Sequence, residues 1–138
     1  MLKLIIWIRP YSKYLLIVWV LVILLFSSLP SLPAIKIHTA KSEIRLDYLI
    51  HMIEYGILGF LTFLTFSGEH YKPGSRKYLI MTVSLVLFAL LDEIHQKFIP
   101  GRAYNIKDLF SDTVGIVLAL LFCVFIFRKL TKIITREG

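Results

Sequence analysis

LDYLIHMIEYGILGFLTFLTF, residues 46–66, is long and apolar enough to cross a bilayer, yet its first half carries Asp47, His51 and Glu54. At 1.5 Å per residue such a helix extends ~32 Å, against a hydrocarbon layer ~30 Å thick. A charged side chain at the bilayer centre costs ~2.5–3.5 kcal/mol on insertion scales, so such residues persist where they face protein partners or trapped water. Asp47, His51, Glu54 and Tyr55 follow one another at spacings of four, three and one. At ~100° per residue they share about a third of the helix circumference. The stretch therefore reads as a membrane helix with one polar stripe turned away from lipid.

Three further apolar segments flank it. Residues 14–35 are uncharged, and Ser27–Ser28 followed by Pro30 and Pro33 stops the first helix near Leu29. The run is long for the apolar region of a signal peptide and no A-x-A site follows, so it is expected to remain as a span. The second segment ends at Ser67–Gly68. The third covers about residues 78–99 and is stopped by Pro100–Gly101; the fourth covers 106–127 and is followed by Arg128, Lys129, Lys132 and Arg136. With 138 residues, 57% of them hydrophobic, and a mean hydropathy of +0.76, the chain reads as one all-α membrane domain of four transmembrane helices.

The formal charge of +7 is not a nucleic-acid signature here. The Lys and Arg residues sit between and beyond the apolar runs, where anionic headgroups meet them, and form no basic stripe interleaved with aromatics. Cys123 is the only cysteine, which excludes an internal disulfide and a cysteine-based metal site. Neither repeats nor an interdomain linker are visible.

Four spans put both termini on one side. That side carries Lys3, Arg9, Lys13, Lys72, Arg76, Lys77 and the four tail cations, against Lys36, Lys41, Arg45, Lys97, Arg102 and Lys107 opposite. The excess of positive charge predicts cytoplasmic termini. The polar ends obey a second regularity: the second segment begins with its ionisable residues, the third ends with Asp92-Glu93-Ile94-His95-Gln96, and the fourth begins with Asp108 and Asp112. In alternating spans those ends lie at one membrane face, so a shared polar pocket is expected, opening on the extracytoplasmic side.

The third segment's carboxylates stand at a helix C-terminus, where the macrodipole disfavours them, so they need cationic or metal partners; Arg102, just past the Pro100–Gly101 turn, is the candidate. Asp108 suits a helix N-terminus, while Asp112 is a full turn deeper. Ser111, Gly115, Ala119 and Cys123 form a strip of small residues at spacing four, which allows another helix to approach closely.

The pattern Asp47-x3-His51-x2-Glu54-Tyr55-x3-Gly59, then Asp92-Glu93-Ile94-His95-Gln96-x3-Pro100-Gly101-Arg102, then Asp108-x3-Asp112-x2-Gly115 resembles the VanZ-like family of small bacterial membrane proteins. The resemblance is strongest over residues 46–119. Many members carry Lys where this chain has Tyr48, and Asn where it has Asp112. The resemblance implies a multi-pass protein of the bacterial cytoplasmic membrane acting at the cell envelope, and a link to resistance against teicoplanin-type glycopeptides.

The residues themselves suggest the chemistry. His51, with Asp47, Glu54, Asp92 and Glu93, could move protons as catalytic groups. Arg102 could hold a phosphate or carboxylate in fork geometry, with Tyr55 and Gln96 beside it as substrate-binding groups. Asp108 and Asp112, one turn apart, could share a divalent cation through oxygen ligands, although no HExxH motif supports a metal. The expected ligand is a lipid-linked envelope precursor or another envelope headgroup, a glycopeptide included. The alternatives are a carrier coupled to protons or cations, and a non-enzymatic partner whose ion pairs set helix register. Confinement of the ionisable residues to one end of the spans favours a pocket over a through-pathway.

Overall fold

The structure is a computed structural model that describes residues 5, 7–30, 36–39, 42–67 and 73–134, with backbone alone for 36–39, 42–45 and 128–134. Lys3, Pro33, Lys41, Gly68, Lys72 and Arg136, used above for orientation or helix ends, lie outside the described residues. Four helices carry the fold: α1 (Ser12–Ser27), entered through a 3-10 turn at Arg9–Tyr11; α2 (Leu46–Phe66); α3 (Ser75–Gln96); and α4 (Ile106–Ile134). All four are long and apolar enough to cross a membrane, the first span counted over Arg9–Ser27 and the last over Ile106–Phe127. The fold is the expected all-α bundle.

The bounds of α2 and the start of α4 coincide with the sequence reading, whereas α3 sits about three residues earlier. Gly74 precedes it in an extended conformation, and the helix ends at Gln96 in tight turns, Phe98 N–H to His95 O at 2.9 Å and Ile99 N–H to Gln96 O at 3.0 Å. Pro100 explains the early stop, since a proline disfavours helical geometry in the residue before it. Gly101 then turns the chain at φ 80°, a left-handed conformation that an L side chain adopts at a cost of ~1–2 kcal/mol. Gly101→Ala is accordingly expected to lower stability by about that amount in a detergent unfolding titration; an unchanged midpoint would show the turn unstrained. Between α1 and α2 the sequence reading assigned no strand. The backbone nonetheless forms a short antiparallel ladder, β1 (Lys36–Thr39) against β2 (Ser42–Arg45), with Lys36 opposite Arg45 and Thr39 opposite Ser42.

The closest helix pair is α2 with α4, and the small-residue strip is where they meet. A Cβ on Gly115 would overlap the Met52 carbonyl oxygen, and one on Gly59 would stand 3.3 Å from the Ala119 Cβ. Below the polar end, Leu58, Phe63, Leu64, Met81, Leu85, Leu120 and Phe127 fill an apolar core, with Phe63 stacked on Phe127 at 5.3 Å between ring centroids. Val18, Leu21, Leu25, Leu79, Val83, Leu87, Leu118, Leu121 and Phe125 point outward and stay exposed. An apolar exterior of this extent around fully hydrogen-bonded helices is what a bilayer requires.

Candidate functional site

The polar ends of α2, α3 and α4 come together at one end of the bundle, as their placement along the chain implied. His51 Nδ1 on α2 lies 3.0 Å from Asp112 Oδ1 on α4. Tyr55, one turn further along α2, donates its hydroxyl to Asp92 Oδ2 on α3 at 3.0 Å. Gln96 donates its Nε2 to the same oxygen at 3.2 Å. Glu93 accepts the backbone N–H of Asn105, the residue before α4, on Oε2 at 3.0 Å. The carboxylates turn inward: Asp112 is 0% exposed, Glu93 1% and Asp92 4%. Three separate spans are thereby stitched through side chains that lipid would reject.

These residues border a cavity of about 910 Å³. Its apolar lining comes from Trp19, Val22, Ile23 and Phe26 of α1 with Ile50, Ile53 and Ile57 of α2. Its polar lining comes from Asp47, His51, Glu54, Asp92, Gln96, Arg102, Lys107 and Asp108. Of the residues singled out in the sequence, Asp47, His51, Glu54, Asp92, Gln96, Arg102 and Asp108 line the cavity. Tyr55, Glu93 and Asp112 stand behind its wall; Tyr55 is fully enclosed and reaches the cavity through Asp92. Trp19 closes the α1 side by donating its indole N–H to the Glu54 carbonyl at 2.9 Å.

Arg102 is the residue whose placement differs most from its expected pairing with the α3 carboxylates. Its Nε donates to Leu29 O at 3.1 Å, one terminal nitrogen to Phe26 O at 2.7 Å and the other to Gln96 Oε1 at 2.8 Å. Two of these bonds reach carbonyls at and just past the C-terminal end of α1, where Phe26 O also accepts the Leu29 N–H at 3.3 Å. Asp92 is therefore reached through Gln96 and not directly. The reason is the left-handed turn at Gly101, which carries the side chain across to α1. Of the five guanidinium N–H groups, three are committed to protein acceptors.

Sequence reasoning missed two contacts that organise this end. Asn105 is a junction: its N–H serves Glu93, its Nδ2 donates to Asp108 Oδ2 at 2.9 Å, and its Oδ1 accepts the N–H of Lys107 at 3.1 Å. The signal was present, since Asn immediately before an apolar helical run is a favoured N-cap. His95, in the polar run that ends α3, meets Ser28 just past the end of α1, Nε2 to Oγ 3.1 Å. No local pattern announces that contact across 67 residues.

Some buried oxygens have no hydrogen-bond partner among the described residues, including Asp92 Oδ1, Glu93 Oε1 and Asp112 Oδ2. His51, Glu93 and Asp112 each offer one donor atom lying within 4.8 Å of the other two. The arrangement can hold an amphiphile against its mixed apolar and polar lining, relay protons among carboxylates and imidazole, or seat a cation.

A family model described as VanZ/LLP1 matches residues 13–128. No curated protein and no solved structure matches the chain.

Proposed function

The chain belongs to the VanZ/LLP1 family, and from that premise we propose that it recognises or processes a lipid-linked or other envelope headgroup in an outward-facing polar pocket. The setting of this activity is the bacterial cytoplasmic membrane, with both termini in the cytoplasm and the pocket open to the outer leaflet. The observation that carries the reading is the mixed lining of the 910 Å³ cavity, aliphatic and indole groups together with acids, imidazole, amide and cations. An amphiphile matches both kinds of lining, while a purely polar solute would leave the apolar α1 residues unmatched. Lys107 is exposed and Arg102 half-buried, and both line the cavity, so an anionic headgroup has two cations within the same chamber. His51, Glu54 and Asp92 would then face the headgroup as proton-moving groups, with Tyr55 and Gln96 holding Asp92 in place. A carrier is the weaker alternative, because the side chains filling the bundle below this end are apolar. Resistance to teicoplanin-type glycopeptides is the phenotype in which such an activity would be read.

The test is lipid analysis of the purified full-length protein in nanodiscs. Wild type is expected to retain a defined headgroup lipid, enriched over the surrounding membrane. The Asp92→Asn/Arg102→Ala double variant should lose that enrichment by roughly tenfold or more, the scale of one charge-assisted hydrogen bond. A wild-type lipid profile identical to the bulk membrane would overturn the reading.

A further inference from the structure

We propose that His51, Glu93 and Asp112 bind one divalent first-row transition ion (Mn²⁺, Fe²⁺ or Zn²⁺) just behind the chamber wall. Each residue comes from a different span, and one donor atom of each lies within 4.8 Å of the other two. Ligands ~2.0–2.2 Å from a common ion stand ~3–4.4 Å from one another, so an inward movement of a few tenths of an ångström completes the set. His51 Nδ1 and Asp112 Oδ1, hydrogen-bonded at 3.0 Å, would give up the shared proton on metal binding, and their spacing suits two ligands at a right angle about one ion.

A second observation points the same way. Glu93 Oε1 and Asp112 Oδ2 are buried without a hydrogen-bond partner among the described residues, on side chains 1% and 0% exposed. Leaving a buried polar atom unmet costs ~1–3 kcal/mol, and more for a charged one, and folded proteins satisfy nearly all such atoms. An ion held by these two carboxylates supplies the positive charge that both orphaned oxygens lack. It also offsets the crowding of Glu54, Asp92, Asp108, Glu93 and Asp112 into one end of the bundle, where Arg102 is the cation already committed to carbonyls. The neighbouring shell is in place, since the Asn105 N–H holds Glu93 Oε2 and leaves Oε1 for the ion. One imidazole nitrogen with carboxylate oxygens suits Mn²⁺, Fe²⁺ or Zn²⁺ better than Mg²⁺ or Ca²⁺, which favour all-oxygen shells. Asp108, expected to share a cation with Asp112, is not one of the three converging residues. Three protein ligands leave coordination positions open, and His51 places the ion against the chamber.

This inference goes beyond the headgroup reading, and its test contains no headgroup, so either can fail alone. Full-length protein in nanodiscs is stripped with chelator, dialysed separately against Mn²⁺, Zn²⁺, Mg²⁺ and Ca²⁺, and assayed for bound metal. Wild type is expected to hold one Mn²⁺ or Zn²⁺ per chain and to prefer them to Mg²⁺ and Ca²⁺. Glu93→Gln and Asp112→Asn should weaken that binding by at least tenfold, while His95→Ala, a histidine outside the set, retains it. Pulsed paramagnetic resonance of the wild-type Mn²⁺ form needs no variant and should show coupling to one imidazole nitrogen. Metal no higher than in empty nanodiscs, binding that survives both carboxylate variants, or a Mn²⁺ spectrum without nitrogen coupling would overturn the proposal.

Discussion

Asp112→Leu is expected to destabilise the metal-free protein by ~3–5 kcal/mol, the cost of removing one member of a buried ion pair and stranding the other. The geometry behind the figure is the 3.0 Å contact to His51 across the α2–α4 interface, with the Asp112 carboxylate enclosed on all sides. Adding His51→Leu should recover most of the loss, because replacing both partners by apolar groups removes the stranded charge as well as the pair. Chemical unfolding in detergent with chelator present measures both variants. A neutral side-chain hydrogen bond inside a membrane averages only ~0.6 kcal/mol, so a single-variant loss of that size would show that no ion pair stands there. The double variant also bears on function. If it folds well and keeps full envelope activity, the pair only sets helix register; if it folds and is inactive, these groups belong to the working site.

Gly115→Leu is expected to be at least as damaging, by a different route. Even the first carbon of a side chain at this position would overlap the Met52 carbonyl oxygen and reach 2.9 Å from its carbon and 3.1 Å from the Gly56 nitrogen. All three are backbone atoms of α2 and have no rotamer into which to withdraw. Overpacking typically costs ~1–3 kcal/mol where side chains can yield, and here α2 and α4 must separate instead. The His51–Asp112 contact lies within a turn of Gly115, so the separation should also open the polar end. Gly56 provides the comparison on the same interface. Its added Cβ would stand 3.6 Å from the Gly115 oxygen, ordinary contact distance. Glycine to alanine gains ~0.8–1 kcal/mol of helix propensity, so Gly56→Ala should be neutral or stabilising while Gly115→Ala is destabilising. Equal midpoints for the two alanine variants would show that the helices are not in backbone contact at Gly115.

The two expectations explain why some features were legible in the sequence and others were not. The small-residue strip at 111, 115, 119 and 123 is a one-dimensional signal of close packing, and Gly115 and Ala119 stand at the α2–α4 contact. The position of the ionisable residues along each span was enough to bring them to one end, since alternating helices of known rise leave little choice. The rotation of each helix about its axis was only partly legible: adjacent Asp92 and Glu93 point about 100° apart on a helix, yet both are buried, and Glu93 converges with His51 and Asp112. The connection from 97 to 105 was the least legible segment. Its path depends on one left-handed glycine, and that path decides both that Arg102 serves the α1 carbonyls and that Asn105 serves Glu93.

Sequence alone determined that this is a bundle of four membrane-crossing helices, where most of their ends fall, and which residues lipid would not accept. Those properties follow from hydropathy and helix pitch, which act over a few turns and need no neighbour. Tertiary structure decided the partners: His51 with Asp112, Tyr55 and Gln96 with Asp92, Asn105 with Glu93, and Arg102 with the end of α1. A carboxylate or guanidinium can bond to any complementary group within about 3 Å. Which group that is depends on how closely α2 and α4 pack and how the turn before α4 is wound, and both are settled only when the helices meet.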